Sequence, residues 1–142
     1  MLISDEIVIS DEILFKVGTS MFLLMFFLSG IGKIKDFSKV SKSLRKRFPL
    51  KLPLVFFKIA IICVIILLSG GSSFILYSTF TGEHKKISSY IILLLIAFTI
   101  AATLLYHFPK PNNKNIPFWN NISLTGGFVL LLRSFIVDGK LF

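Results

Sequence analysis

Four apolar stretches fill most of this chain, at about 14–34, 54–77, 87–108 and 118–137. The hydrocarbon core of a bilayer is crossed by a helix of about 20 apolar residues, and each stretch meets that length. The sequence therefore predicts an all-α protein, a four-transmembrane-helix antiparallel bundle forming a single four-span membrane domain over 1–142. The short connection between the second and third stretches and the turn-rich one between the third and fourth require neighbouring spans to run in opposite directions. Little chain is left for a soluble domain, so function has to be built from helix interfaces and short loops.

Composition agrees. Mean hydropathy is +0.83 and 54% of residues are hydrophobic, well above soluble usage. A net charge of +9 is the kind of value that nucleic-acid binders carry, but its distribution points elsewhere. Eight of the sixteen Lys and Arg lie between positions 33 and 51, beside a span. A basic cluster there faces anionic lipid headgroups and follows the positive-inside bias, so the expected partners are the bilayer and its anionic lipids, not nucleic acid. Cys63 stands alone in the middle of the second span, which excludes an intrachain disulfide and CxxC redox chemistry. It reads as a small buried apolar residue. The acidic N-terminus carries ISDEI at 3–7 and again at 9–13 and lacks the basic start of a secretory signal, so the first span is expected to be retained. Ser10, Asp11 and Glu12 suit the capped start of the first helix.

Between the first two spans, Phe37, Val40, Leu44 and Phe48 recur at helical spacing. Lys35, Lys39, Lys42, Arg45 and Lys46 lie on the other side, which predicts a basic amphipathic helix in the membrane interface. Pro49 and Pro53 end it. Small residues mark packing positions in the spans: Gly30 and Gly32 in the first, Gly70 and Gly71 in the second, Gly126 and Gly127 in the fourth. The paired glycines of the first and fourth spans suggest that these two pack side by side. The Gly70-Gly71 patch permits either tight packing or a kink.

Loop charge sets the expected orientation. The basic loops 35–53 and 109–117 should face the cytoplasm, with both termini on the opposite side. Alternation then brings Lys33, Lys58, His107, Trp119, Asn120 and Asn121 to one membrane face. Ionisable groups at membrane depth are costly and tend to serve function, and two cations, an imidazole and amides suit a quinone, an anionic lipid headgroup or a small oxyanion. Simpler roles are available to each: helix anchors for Lys33 and Lys58, an aromatic belt for His107 and Trp119, helix caps for Asn120 and Asn121, and an anchor or a partner of Asp138 or Glu12 for Arg133. No carboxylate pair, phosphate loop or metal-binding cluster is readable, and His84 and His107 fall on opposite faces. No catalytic residue and no bound cofactor are therefore expected.

Several of these segments together resemble the DoxX family. They are Ser29-Gly30-Ile31-Gly32-Lys33-Ile34 with the basic helix after it, Gly70-Gly71, the close of the third span at Ala101-Ala102-Thr103-Leu104-Leu105-Tyr106-His107, and Asn121 followed by Gly126-Gly127. The resemblance covers about 22–132. It implies a small four-helix membrane protein, in some members a subunit of a thiosulfate:quinone oxidoreductase or an associate of redox-defence enzymes. More distant relatives act as cargo receptors or assembly chaperones. The family often carries an acid in the second span before the Gly-rich patch; positions 61–68 here hold none, so the resemblance implies fold more than activity. Two readings follow. One is a non-catalytic membrane subunit, scaffold or assembly factor that works with a protein partner or as a homo-oligomer. The other is a membrane subunit of a quinone-linked oxidoreductase, with the quinone held through a partner.

Overall fold

The computed structural model describes residues 10–136, and these are helical with no strand. Helix α1 is Asp11–Lys35. Its start is capped as the sequence implies: the Ser10 hydroxyl accepts from the Ile13 N–H at 3.3 Å, and Asp11 and Glu12 complement the positive end of the helix dipole. After Asp36 alone, the chain enters α2, Phe37–Arg47. Pro53 precedes α3, Leu54–Thr81, which is 28 residues long and contains one π-helical turn at Ile66–Gly71. Gly82 ends α3 with φ of 74°, a left-handed conformation that glycine adopts without steric cost. Helix α4 is Lys85–Tyr106, and α5 is Ile116–Phe135.

The loop before α5 is organised by Asn115. Its Oδ1 accepts from the Lys110 N–H at 2.9 Å, and its Nδ2 donates to the carbonyls of Lys110 and Asn113, each at 3.0 Å. Asn115 is thus the residue at the mouth of α5, while Asn120 and Asn121, expected as caps, lie inside the helix.

Among the described residues, three helices are long and apolar enough to cross a membrane: Asp11–Lys35, Leu54–Thr81 and Lys85–Tyr106. The fourth expected span exists as a helix of 20 residues. Trp119, Asn120 and Asn121 near its start and Arg133 near its end leave it less apolar than the other three. The four long helices alternate in direction. Glu12, Phe80, Lys85 and Phe135 meet at one end, and Lys33, Phe57, His107 and Asn121 at the other. The ISDEI copy at 3–7 and Asp138, proposed as a partner of Arg133, lie outside the described residues. Glu12, the alternative partner, pairs instead with Lys16 at 2.6 Å.

The surface differs from that of a soluble domain. Large apolar side chains point outward, among them Met21 (72% exposed), Leu130 (69%) and Val55 (65%). The buried polar residues are all serines and threonines, including Thr19, Ser72, Ser78, Thr79, Ser88, Ser89, Thr99 and Thr103. An apolar solvent removes the drive to bury leucine, and small hydroxyl residues let helices approach closely. Thr79, Thr99 and Thr103 each donate to the carbonyl four residues earlier in the same helix. The apolar centre is Leu23, Phe26, Leu68, Ile75, Ile92, Leu95 and Phe128. Cys63, expected inside, faces outward on this apolar surface.

The glycines sort by helix rotation. A Cβ on Gly30 would stand 3.0 Å from the Ser69 nitrogen and 3.1 Å from the Leu68 Cβ, so this glycine seats α1 against the π turn of α3. A Cβ on Gly71 would meet Ile91 of α4 at 3.0 Å. Gly32, Gly70 and Gly126 have nothing within 4 Å. The first and fourth long helices do meet, but through rings rather than paired glycines. Phe22 and Phe26 stand 4.9 and 4.6 Å from Phe128, and Gly127 makes room for Phe22.

Candidate functional site

Two cavities open at the end of the bundle where α1 finishes. The first, about 570 Å³, lies between α2, the start of α3 and the end of α4. Val40, Leu44 and Phe48 of α2 form one wall, Phe57, Ala60, Ile61 and Val64 of α3 a second, and Phe98, Ala102 and Leu105 of α4 a third. Its polar lining is Lys33, Asp36, Lys39, Ser43, Tyr106, His107 and Asn121. The second cavity, about 650 Å³, lies between α1, α4 and the start of α5, lined by Met25, Phe26, Ser29, Lys33, Thr99, Asn120, Asn121 and Leu124 among others. Lys33, Phe98, Ala102 and Asn121 belong to both.

The apolar stripe of α2 has a more specific role than lying in the interface. Half-buried Val40, Leu44 and Phe48 turn toward the protein and roof the first cavity. Phe48 packs edge-on against Phe57 at 5.6 Å. The Arg47 guanidinium sits 4.7 Å from the Tyr106 ring, a cation–π contact that straps the end of α2 to the end of α4. Such a contact contributes about 0.5–1 kcal/mol where it is exposed.

Lys33 is the polar centre. Its Nζ donates to the Ser29 hydroxyl at 2.8 Å and reaches the Ser29 carbonyl at 3.5 Å, one turn back on α1. Half-buried, it makes no ion pair among the described residues; the ion pairs seen are Lys16–Glu12 and His84–Glu83, both at the far end of the bundle. Asp36 and Lys39 line the same cavity and offset one another in charge, and no carboxylate among the described residues lies within ion-pair distance of Lys33, so the lysine keeps an attraction for an anion.

Of the residues expected to converge, Lys33, His107 and Asn121 line the first cavity, and Lys33, Asn120 and Asn121 the second. His107 is exposed at the rim and closes α4 through its N–H to the Thr103 carbonyl at 2.9 Å. Lys58 and Trp119 line neither cavity. Trp119 is 60% exposed and packs on Phe118, ring to ring at 5.1 Å. Ser29, Asp36 and Lys39 complete the site; from sequence Ser29 reads as a small packing residue and Lys39 as part of the basic side of α2, and Asp36 carries no signal. Ser29 is detectable in hindsight as the residue one turn before Lys33. The two histidines sit at opposite ends of the bundle, and no group of three or more His, Cys, Asp or Glu among the described residues could hold a metal. Comparison of the chain with protein-family models, curated proteins and solved structures finds no match.

Proposed function

We propose that this chain is a four-span integral membrane protein acting as a non-catalytic subunit, scaffold or assembly factor, of the kind its resemblance to DoxX proteins implies. The observation that carries the membrane reading is the outer surface of the long helices, where large apolar residues such as Met21, Val55 and Leu130 are exposed while serines and threonines are buried beside the apolar core. The less apolar α5 serves as the fourth span. Its Asn120 and Asn121 lie at the basic end, where water and headgroups solvate them, and Arg133 snorkels at the other end. On this reading the basic loops face the cytoplasm.

The non-catalytic reading is supported by the kind of groups that converge. A lysine, two amides and hydroxyls bind and orient; His107 and Asp36 also line the first cavity, but among the described residues neither is hydrogen-bonded through its side chain to another group of the site as an acid–base or nucleophile–base pair requires. A second reading keeps one specific observation: Lys33, His107 and Asn121 line a single apolar cavity, an arrangement that also suits a quinone carbonyl for a redox partner.

Gentle detergent extraction followed by affinity purification tests both. The proposal expects the protein in the carbonate-washed membrane fraction, with a stoichiometric structural partner or a homo-oligomer. Recovery of a flavin- or haem-bearing partner with bound quinone would replace it by the redox reading. Recovery in the aqueous fraction would remove both.

A further inference from the structure

We infer that the two cavities are the two arms of one site for an anionic two-chain lipid, its headgroup at Lys33 and Asn121 and one acyl chain in each arm. The inference rests on the bilayer reading above and adds what the site holds.

Three observations carry it. The arms are adjacent and share Lys33, Asn121, Phe98 and Ala102 in their linings, so a single headgroup at Lys33 and Asn121 borders both. There Lys33 has hydroxyl and carbonyl partners but no carboxylate within ion-pair distance among the described residues; Asp36, exposed in the first arm, is offset by Lys39 in the same lining. A phosphate supplies the missing charge, and the Asn121 amide can donate to its oxygens. The arms also have the depth of one leaflet. The second is lined on α1 from Met25 to Lys33, which at 1.5 Å per residue is about 12 Å. The first is lined on α4 from Phe98 to Tyr106, about 12 Å. Half of a bilayer's hydrocarbon core is about 15 Å, so each arm takes most of an acyl chain from the leaflet at the basic end. Exposed Phe56 borders one arm and exposed Met25 the other, so both are open sideways to lipid.

A single-chain amphiphile leaves one arm empty, a zwitterionic lipid brings its own cation against Lys33, and a quinone lacks the charge. These alternatives define the test: native mass spectrometry on the full chain in a mild detergent, titrated separately with dioleoyl-phosphatidylglycerol, dioleoyl-phosphatidylcholine, oleoyl-lysophosphatidylglycerol and decylubiquinone. One phosphatidylglycerol should be retained per chain, at least about tenfold more tightly than the other three. Lys33→Met keeps the aliphatic stem and should weaken that binding roughly 10- to 100-fold, the range for a lost charge-assisted contact; Lys33→Arg should restore most of it. Ala60→Trp fills the first arm and Ser123→Trp the second, and each should abolish the preference for two chains over one.

The inference is overturned if phosphatidylcholine, the lyso lipid or decylubiquinone binds as well as phosphatidylglycerol. It is also overturned if Lys33→Met, with wild-type helicity by circular dichroism, binds phosphatidylglycerol unchanged. A protein that stays in the membrane yet retains no phosphatidylglycerol refutes this inference alone. A protein that needs no detergent refutes the bilayer reading with it.

Discussion

Gly30 and Gly32 are two residues apart and do different things. Gly30 lies against Ser69 and Leu68, whereas Gly32 faces open space. Gly30→Ala should therefore push α1 off the π turn and destabilise the fold by about 1–3 kcal/mol, the usual cost of overpacking. Gly32→Ala and Gly126→Ala should be neutral, or stabilising by up to about 1 kcal/mol through helix propensity. Thermal unfolding in detergent, followed by circular dichroism, separates the outcomes; equal effects at positions 30 and 32 would refute the contact. The buried serines give a second contrast. The Ser89 hydroxyl shares its one proton between the Lys85 carbonyl of its own helix at 2.9 Å and the Phe135 carbonyl of α5 at 3.1 Å, so Ser89→Ala should cost at most about 0.6 kcal/mol, the average for interhelical bonds inside membranes. The Ser72 and Ser88 hydroxyls are buried without a hydrogen-bond partner. Replacing Ser72 by Ala removes an unsatisfied group and should be neutral or stabilising in the same assay.

Helix α2 is held by its apolar side and by the strap of Arg47 on Tyr106. Val40→Asp with Leu44→Asp should lift it from α3 and accelerate amide exchange across Phe37–Arg47. Unchanged exchange would mean that the stripe does not hold the helix. At this scale the sequence is informative about periodicity and silent about rotation. Apolar runs located the long helices, and a spacing of 3, 4 and 4 located α2. Which face of each helix meets which neighbour depends on packing that no single run encodes. Phe57 lines the first cavity, and Lys58, about 100° further round, does not. Asn121 lines both cavities, and Trp119, two residues earlier and about 200° away, faces outward. Lys33, His107 and Asn121 were readable because polar groups at helix ends on one face have few places to go. The π turn was not, since Ser69-Gly70-Gly71 is equally suited to a kink or to tight packing.

For the whole molecule, alternating helices place Ser38 and Thr81 at opposite ends. Both are exposed, whereas Ser41, nearby on α2, is fully buried and a poor probe position. Single cysteines at Ser38 and Thr81, in a Cys63→Ser background, should react with a membrane-impermeant maleimide from opposite sides of sealed vesicles. Labelling of both from one side would refute the four-span topology. The hydroxyls inside the bundle carry a consequence for how such a molecule comes into being. Thr79, Thr99, Thr103 and Thr125 each satisfy their proton on their own helix. These four hydroxyls need no neighbouring helix to be satisfied, and those of Ser72 and Ser88 find no partner among the described residues even in the assembled bundle, so assembly adds no bond to either group. Insertion and assembly are then separate events: the helices enter one by one as synthesis delivers them, and the seat of Gly30 on the π turn forms only once α3 has followed α1 into the membrane.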